Sequence, residues 1–395
     1  MVESLKTPYY IFDEGLFIDN LERFKASFQS VYSNYHIAYS FKTNYSPYIV
    51  RLIKKAGCYA EVVSDMEYAL ARRLGFENKE IIYNGPYKGA LLEEHLSRGG
   101  IVNVDNFEEC TRICHFAKQN FREGGYRIGL RMNLNLGAGF ISRFGMEDGS
   151  KLLLNCLQAI KACGNLRVVG LHCHIKAPRD PESWRKRSEI MIAAADKYIE
   201  GIPEFFSLGS GMVPGRYDQY AEEYENYSPG YSDYAIEVFS PFINRYPENH
   251  RPIVFTEPGR ALITRYIRFF AAVDNIKIIQ NRNMATTDGS FHNLGEISTL
   301  ARVPIIVHHN SAGKYYDKID IMGYTCLEQD VMFPDYSGEV AVGDIIEFRN
   351  AGGYSIVYKP QFICPQCAMY VLHSDGSAQK IMREESFEDI FAKFV

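Results

Sequence analysis

The chain lacks an excess of basic residues: 43 Lys and Arg stand against 48 Asp and Glu, for a net charge of −5. Non-specific nucleic-acid binding needs a basic face, and this composition does not supply one. No apolar run is long enough to span a bilayer. The opening stretch MVESLKTPYYIFDEG lacks the basic-then-apolar order of a secretory leader. Internal repeats, low-complexity tracts and long linkers are missing too. Tryptophan occurs once, against 28 tyrosines. Cysteine is present nine times, an odd and scattered set that argues for free thiols in a reducing compartment. The expected location is therefore cytoplasmic, with no membrane and no nucleic acid as partner.

What remains is ordinary globular material, 46% hydrophobic and 23% charged over 395 residues, enough for two domains. Short β-rich runs alternate with amphipathic helical patterns from about residue 35 to 258: HIAYSF (36–41), CYAEVV (58–63), EIIYNG (80–85), IVNVD (101–105), RIGLRMN (127–133), RVVGLHCH (167–174), EFFSLG (204–209) and PIVFTE (252–257). Between them, PYIVRLIKKAG ends on lysines and glycine, and SDMEYALARRLGF opens on a capping box of Ser64 and Glu67. Eight strands, each followed by a helix or a long connection, predict an α/β fold, a (β/α)8 TIM-type barrel over residues 28–258. The rival, a doubly wound open sheet, would want a glycine-rich turn after its first strand, where this chain has Lys42. Beyond residue 260 the pattern changes to strands and turns alone, which predicts a second, all-β domain (259–395) joined by residues 1–27.

In such barrels chemistry collects at the C-terminal ends of the strands. Reading those ends in order gives Lys42, Glu61, Arg131, then His172 and His174, then Gly209, Ser210 and Gly211 in LGSGMVPG, and finally Glu257, Gly259 and Arg260 in EPGR. A strand-end lysine is ordinarily solvated, and GSG or EPGR alone is ordinarily a turn. Their coincidence is what matters. The loops after strands seven and eight are the usual phosphate site of this fold, glycines let amides approach an anion, and arginine offers a bidentate fork. A phosphate cradle, a lysine and a carboxylate on one barrel mouth suit pyridoxal 5'-phosphate (PLP). The metal reading of His172 and His174 with His308 and His309 lacks a completing ligand at usual spacing. CPQC (Cys364, Cys367), with Cys110 and Cys114 as its candidate mate, resembles half of a zinc or redox motif but reads better as core cysteines. No metal is expected.

Nearly the whole chain resembles the fold-type III PLP-dependent decarboxylases, which include the diaminopimelate, ornithine/arginine and carboxynorspermidine enzymes. YSFKTNYSP resembles the segment whose lysine, here Lys42, forms the Schiff base with the cofactor. GCYAEVVSDMEY resembles the next segment, with Glu61 in place of the usual Asp. GLHCHI implies that His174 stacks on the cofactor ring. SLGSGM stands where the family has a run of glycines for the phosphate. EPGR implies that Glu257 faces the pyridine nitrogen and that Arg260 meets the phosphate or a carboxylate. In the β domain, GYTCLEQD resembles the motif of the catalytic cysteine, here Cys326, with Asp330 in step, and NAGGYS the segment whose tyrosine, here Tyr354, reaches the phosphate.

The resemblance implies a homodimer in which Cys326 and Tyr354 complete the partner's site. It also implies a decarboxylation in which Lys42, Cys326 and His174 are the catalytic set. Three departures bear on the substrate. Leu327 and then Glu328 follow Cys326, where many members carry an acid at once, which is closer to the carboxynorspermidine type. Lys176-Ala177 stands in place of Gly-Ser after the histidine. TTDGSF places Asp288 near where some relatives hold a distal amine. Asp288, Cys326, Glu328 and Asp330 are the expected substrate contacts. The expected substrate is a small amino-acid-type molecule: a diamino acid, a polyamine precursor or a siderophore-type conjugate. A racemase on the same barrel is the first alternative, but such racemases face the pyridine nitrogen with arginine, where this chain has Glu257. A catalytically silent homologue that binds partners is the second, and it predicts loss of Lys42 or Cys326; both are present.

Overall fold

The computed structural model describes residues 5–137, 139, 141–212, 229–295 and 303–395. Val213, Pro214 and Gly215, the end of the LGSGMVPG run, lie outside the described residues. Two compact units divide the chain near residues 20 and 261. Strand β1 (Tyr9–Asp13) belongs to the smaller unit and is followed by helix α1 (Glu14–Gln29).

The larger unit is a closed parallel barrel. Its staves are β2 (Tyr35–Ser40), β3 (Tyr59–Val62), β4 (Ile81–Tyr83), β5 (Ile101–Val104) and β6 (Tyr126–Asn133). A two-residue strand, β7 (Met146–Glu147), pairs on the side of β6, and β8 (Leu166–Cys173), β9 (Phe205–Ser207) and β10 (Ile253–Thr256) complete the ring. Pairing runs β5-β4-β3-β2-β10-β9-β8-β6 and closes between β5 and β6. The eight staves fall where the alternation of the sequence predicts. Ala38, Ile82, Val169, Phe205 and Phe255 form one buried interior cluster. Gly170 makes room for it: a Cβ there would lie 2.5 Å from the Phe205 ring.

Helix boundaries follow local chemistry. Pro47 opens α2 (Pro47–Lys55), and Gly57, at φ +72°, turns the chain out of it. Ser64 caps α3 (Asp65–Arg73) by accepting from the Glu67 amide at 3.2 Å. Glu67 reaches one residue further back than a capping box requires, accepting from the Val63 amide at 2.7 Å. Then come α4 (Leu92–Ser97), α5 (Phe107–Gln119), α6 (Lys151–Cys163), α7 (Pro181–Tyr198) and α8 (Tyr231–Arg245). Cys110 and Cys114 are buried on α5, with the thiol of Cys110 pointed at the Cys156 carbonyl of α6, so these cysteines pack between helices.

The smaller unit is mostly sheet. It holds β11 (Ile267–Ile279), β12 (Arg282–Thr287), β13 (Ile305–His308), β14 (Lys314–Met322), β15 (Val331–Val340), β16 (Ile345–Phe348), β17 (Ala368–Leu372) and β18 (Ala378–Met382). The N-terminal segment does add a strand here, antiparallel to β11 and parallel to β17. Tyr9, Ile11 and Phe270 form one buried cluster here, with Tyr9 stacked on Phe270 at 4.9 Å. Among the described residues beyond 266 its helices are short, Phe291–Leu294 and Phe387–Phe391.

Candidate active site

The lysine of the first barrel strand does not run on into solvent. β2 tightens into a 3-10 turn, Phe41–Thr43, and sets the Lys42 Nζ 2.5 Å from Glu61 Oε2 at the end of β3. The hydroxyl of Ser40 donates to the same oxygen at 2.7 Å. Glu61 is 1% exposed, so this is a buried carboxylate satisfied by an ammonium and a hydroxyl rather than by water.

Across the barrel mouth, Glu257 follows β10. Its carboxylate accepts from Ser207 Oγ at 2.6 Å and from Asn84 Nδ2 at 2.8 Å, and lies 3.3 Å from His172 Nε2. Burial opposes ionisation of Glu257, but His172, Lys42 and Ser207 together outweigh it and hold the carboxyl below its usual range. Asn84 also donates to Glu61 Oε1 at 3.2 Å, and its own oxygen accepts from Asn103 at 2.8 Å. One amide thus bridges the lysine's carboxylate and the opposite one. His172, read from sequence as a weak metal candidate, is instead the partner of Glu257. Among the described residues no group of three or more His, Cys, Asp or Glu side chains is placed to hold a metal ion.

The two loops expected to hold phosphate are tied together directly, the Glu257 amide donating to the Gly209 carbonyl at 2.8 Å. Gly209 sits at φ +63°, and a Cβ there would lie 2.5 Å from the Cys173 carbonyl. The Ser210 amide donates to His174 Nδ1 at 3.3 Å, which fixes the neutral imidazole as acceptor. Burial, then the Lys42 charge, push the His174 pKa well down. Among the described residues the amides of Gly209 and Gly211 have no acceptor. Gly259 is equally constrained, since a Cβ would lie 2.0 Å from Thr43 Oγ1 on the lysine turn. Arg260 follows it, half-buried, at the start of a single helical turn (Arg260–Ile263). Arg131 stands apart: its guanidinium pairs with Asp105 at 3.1 Å and covers the Phe144 ring.

These residues fit PLP by their chemistry. An amine with a carboxylate partner, open amides in a glycine turn, a neutral imidazole and a buried ionised carboxylate match the aldehyde, the phosphate, the ring face and the ring nitrogen. A family model for the pyridoxal-dependent decarboxylases, that of their pyridoxal binding domain, matches residues 18–264. The chain belongs to this family. The diaminopimelate decarboxylase of Methanothermobacter thermautotrophicus is 26% identical over 99% of this chain and 92% of its own length. The L-glutamyl-[BtrI acyl-carrier protein] decarboxylase of Niallia circulans is 24% identical over 99% of this chain and 94% of its own. Among solved structures, the diaminopimelate decarboxylase of M. jannaschii in complex with L-lysine superposes with a TM-score of 0.84 at 23% identity, covering 100% of this chain and 93% of that one. The decarboxylase fold is therefore common to both units.

In the smaller unit the predicted residues divide. Cys326 and Glu328 are exposed on the loop between β14 and β15. Asp330, expected to meet substrate, is 1% exposed and turned inward. One of its oxygens accepts from the Phe291 amide at 2.9 Å, the other from the Thr325 hydroxyl at 2.6 Å and amide at 3.1 Å. It holds the loop that presents Cys326. Asp288 is likewise engaged, accepting from the Ala272 amide at 2.8 Å, and burial raises its pKa. Tyr354 sits at φ +57°, in a turn whose neighbour Gly352 packs so closely that a Cβ would lie 2.0 Å from the Ile263 carbonyl. Cys364 is exposed and Cys367 buried, so the two CPQC thiols have unlike surroundings.

Sequence reasoning missed Ser40, Asn84, Asn103 and Ser207. Asn84 closes the third strand, and applying the strand-end rule to that strand would have found it. Ser207 and Ser40 carry no such signal: a serine inside an apolar strand looks like a tolerated core residue.

Proposed function

We propose that this PLP-dependent carboxy-lyase removes the α-carboxylate of an amino acid bearing a distal polar group, free or as a conjugate. The observation that carries the reading is the buried Glu257 carboxylate, held ionised against burial by His172, Lys42 and Ser207 and hydrogen-bonded by Asn84. When bound, PLP supplies the electron sink into which the α-carbon bond breaks. Glu257 would keep a proton on the pyridine nitrogen and so deepen that sink, which favours decarboxylation over racemisation. Lys42 would hold the cofactor through its amine, with Glu61 as its counter-ion. His174, neutral and acceptor to Ser210, would offer its ring face to the cofactor. Gly209 and Gly211 would give the phosphate their amides, Gly259 would let the chain approach it closely, and Arg260 and Tyr354 would add charge and a hydroxyl; Ser210, its amide spent on His174, and Arg131, paired with Asp105, would shape the mouth around it. Cys326 returns a proton to the α-carbon, and Glu328 flanks it to meet a cationic end of the substrate.

Substrate identity is supported from two sides. Relatives acting on diaminopimelate and on a carrier-bound L-glutamyl group are almost equally similar to this chain, at 26% and 24% identity. The Cys326-Leu327 step is closer to the carboxynorspermidine type. A polyamine or siderophore-type intermediate fits both. We also assign a homodimer with shared sites, on the ground that Cys326 is an exposed residue of the smaller unit while Lys42 belongs to the barrel. Nine free thiols favour the cytoplasm, and among the described residues no helix is long and apolar enough to cross a membrane. The test is carbon dioxide release by the PLP-loaded protein from ornithine, lysine, arginine, both diaminopimelate stereoisomers, carboxynorspermidine and a citryl-diaminopropionate conjugate. Release from one member identifies the substrate class. Exchange of the α-proton without release would overturn decarboxylation in favour of racemisation.

A further inference from the structure

Helix α7 carries a guanidinium that the barrel chemistry above does not use. Arg187 is 0% exposed, and its Nη1 donates to the Leu208 carbonyl at 2.7 Å and to the Ser210 carbonyl at 3.2 Å. These two carbonyls flank Gly209. With the Gly209 carbonyl taken by the Glu257 amide, every carbonyl from 208 to 210 is drawn onto a protein donor. The amides of Gly209 and Gly211 are what the turn leaves for an anion.

Nε and Nη2 of Arg187 have no hydrogen-bond partner, and among the described residues no carboxylate pairs with it. Besides the two carbonyls on Nη1, its charge meets only the Trp184 ring, 3.8 Å from Cζ, and the unpaired influence of the Glu257 carboxylate and the Cys173 and Tyr234 side chains. Burial lowers its pKa to about 10, so it stays charged at neutral pH. A buried cation without an anion is costly, and holding two carbonyls does not require one: a neutral amide would serve. The geometry points to Arg187 as the positioning residue of the phosphate turn, its charge balanced by the cofactor's phosphate dianion. This rests on the PLP reading above.

The experiment compares PLP with pyridoxal, which lacks the phosphate, by titrating apo-protein and following the absorption band of the lysine-linked cofactor. The variants are Arg187→Met, Arg187→Gln and Arg187→Lys, with thermal unfolding as the check on folding. The preference of wild type for PLP over pyridoxal should fall by about tenfold or more in Arg187→Met and Arg187→Gln, the loss typical of a charged interaction. Pyridoxal binding should hold. Arg187→Lys should recover part of the preference because the charge returns. Equal weakening of both ligands, or an unchanged preference in whichever neutral variant folds, overturns the inference alone. If both neutral variants unfold, Arg187→Lys decides: a reduced preference with unchanged pyridoxal binding supports it, and an unchanged preference overturns it. Wild type that takes up neither ligand overturns the PLP reading and this inference with it.

Discussion

The barrel and the β domain use their carboxylates in opposite ways. In the barrel, Glu61 and Glu257 are buried among side-chain donors, Lys42, Ser40, Asn84, Ser207 and His172, all carried on strand ends. In the β domain, Asp330 and Asp288 accept mainly from main-chain amides and serve to shape loops. A carboxylate held by side chains keeps a charge where a ligand can use it, whereas one held by backbone fixes a path for the chain. In the first case the motif residue is itself the group proposed to meet the cofactor. In the second the carboxylate shapes the loop, and the residue left exposed on it is Cys326, the group proposed to return the proton.

That contrast can be broken by substitution. The largest effect belongs to Lys42→Ala, which should abolish turnover and the absorption band of the lysine-linked cofactor; a band that persists removes Lys42 from its role. Next is Cys326→Ala, expected to lower kcat by about 10²–10⁴, the usual range for a lost proton donor, with PLP uptake unchanged. Mixing the two inactive proteins under conditions of subunit exchange should restore part of the activity, and no recovery would count against shared sites. Asp330→Ala should behave differently from both. By leaving the Phe291 and Thr325 donors unsatisfied it should cost about 2–4 kcal/mol of stability in chemical denaturation. A variant as stable as wild type would show that the loop does not need its anchor.

The smallest effect concerns pH. His95 is fully buried, with Nδ1 3.1 Å from Asn78 and Nε2 3.2 Å from the Ile101 carbonyl, and burial lowers its pKa to about 4. Between about 4 and the ordinary 6.5, the unfolded chain takes up a proton that the folded one refuses. Stability from this group is therefore complete above 6.5 and is lost as pH falls through that window. Glu67 works the other way: burial raises its pKa to about 7, so the folded chain keeps a proton that the unfolded chain gives up above 4.5. His95→Gln should flatten the rise in unfolding free energy between pH 4 and 6.5 by an amount on the order of 2 kcal/mol, and an unchanged slope would mean that His95 ionises freely.

Much of this was legible beforehand because it lies in strong periodicities and strand ends. Alternation located all eight staves, and the ends of four of them pointed to Lys42, Glu61, His174 and Glu257. Two kinds of information were not local. The orientation of Asp330 depends on donors at Phe291 and Thr325, so its motif position alone suggested the wrong task. The bridge through Asn84 joins Glu61 and Glu257, residues 23 and 173 positions away, and no spacing rule reaches that far. The surplus of tyrosine, which has no reading from composition, goes partly into packing of helices on the barrel. Tyr32 stacks on Phe239 at 4.8 Å and Tyr35 on Phe28 at 4.9 Å.

Asn84 has one further consequence, which concerns how the molecule ages. It is followed by Gly85, and an asparagine before glycine readily loses its amide to hydrolysis when the backbone is loose. In the fold its nitrogen is gripped by two carboxylates and the residue is 2% exposed, so the reaction is held off. An unfolded chain loses that shelter. Every long excursion from the native state risks returning with an aspartate between Glu61 and Glu257, three negative charges where an amide once separated two. We predict that heat-cycled protein loses activity in proportion to Asp found at position 84 by peptide mapping, a molecular record of time spent unfolded; inactivation with Asn84 intact would point to another lesion.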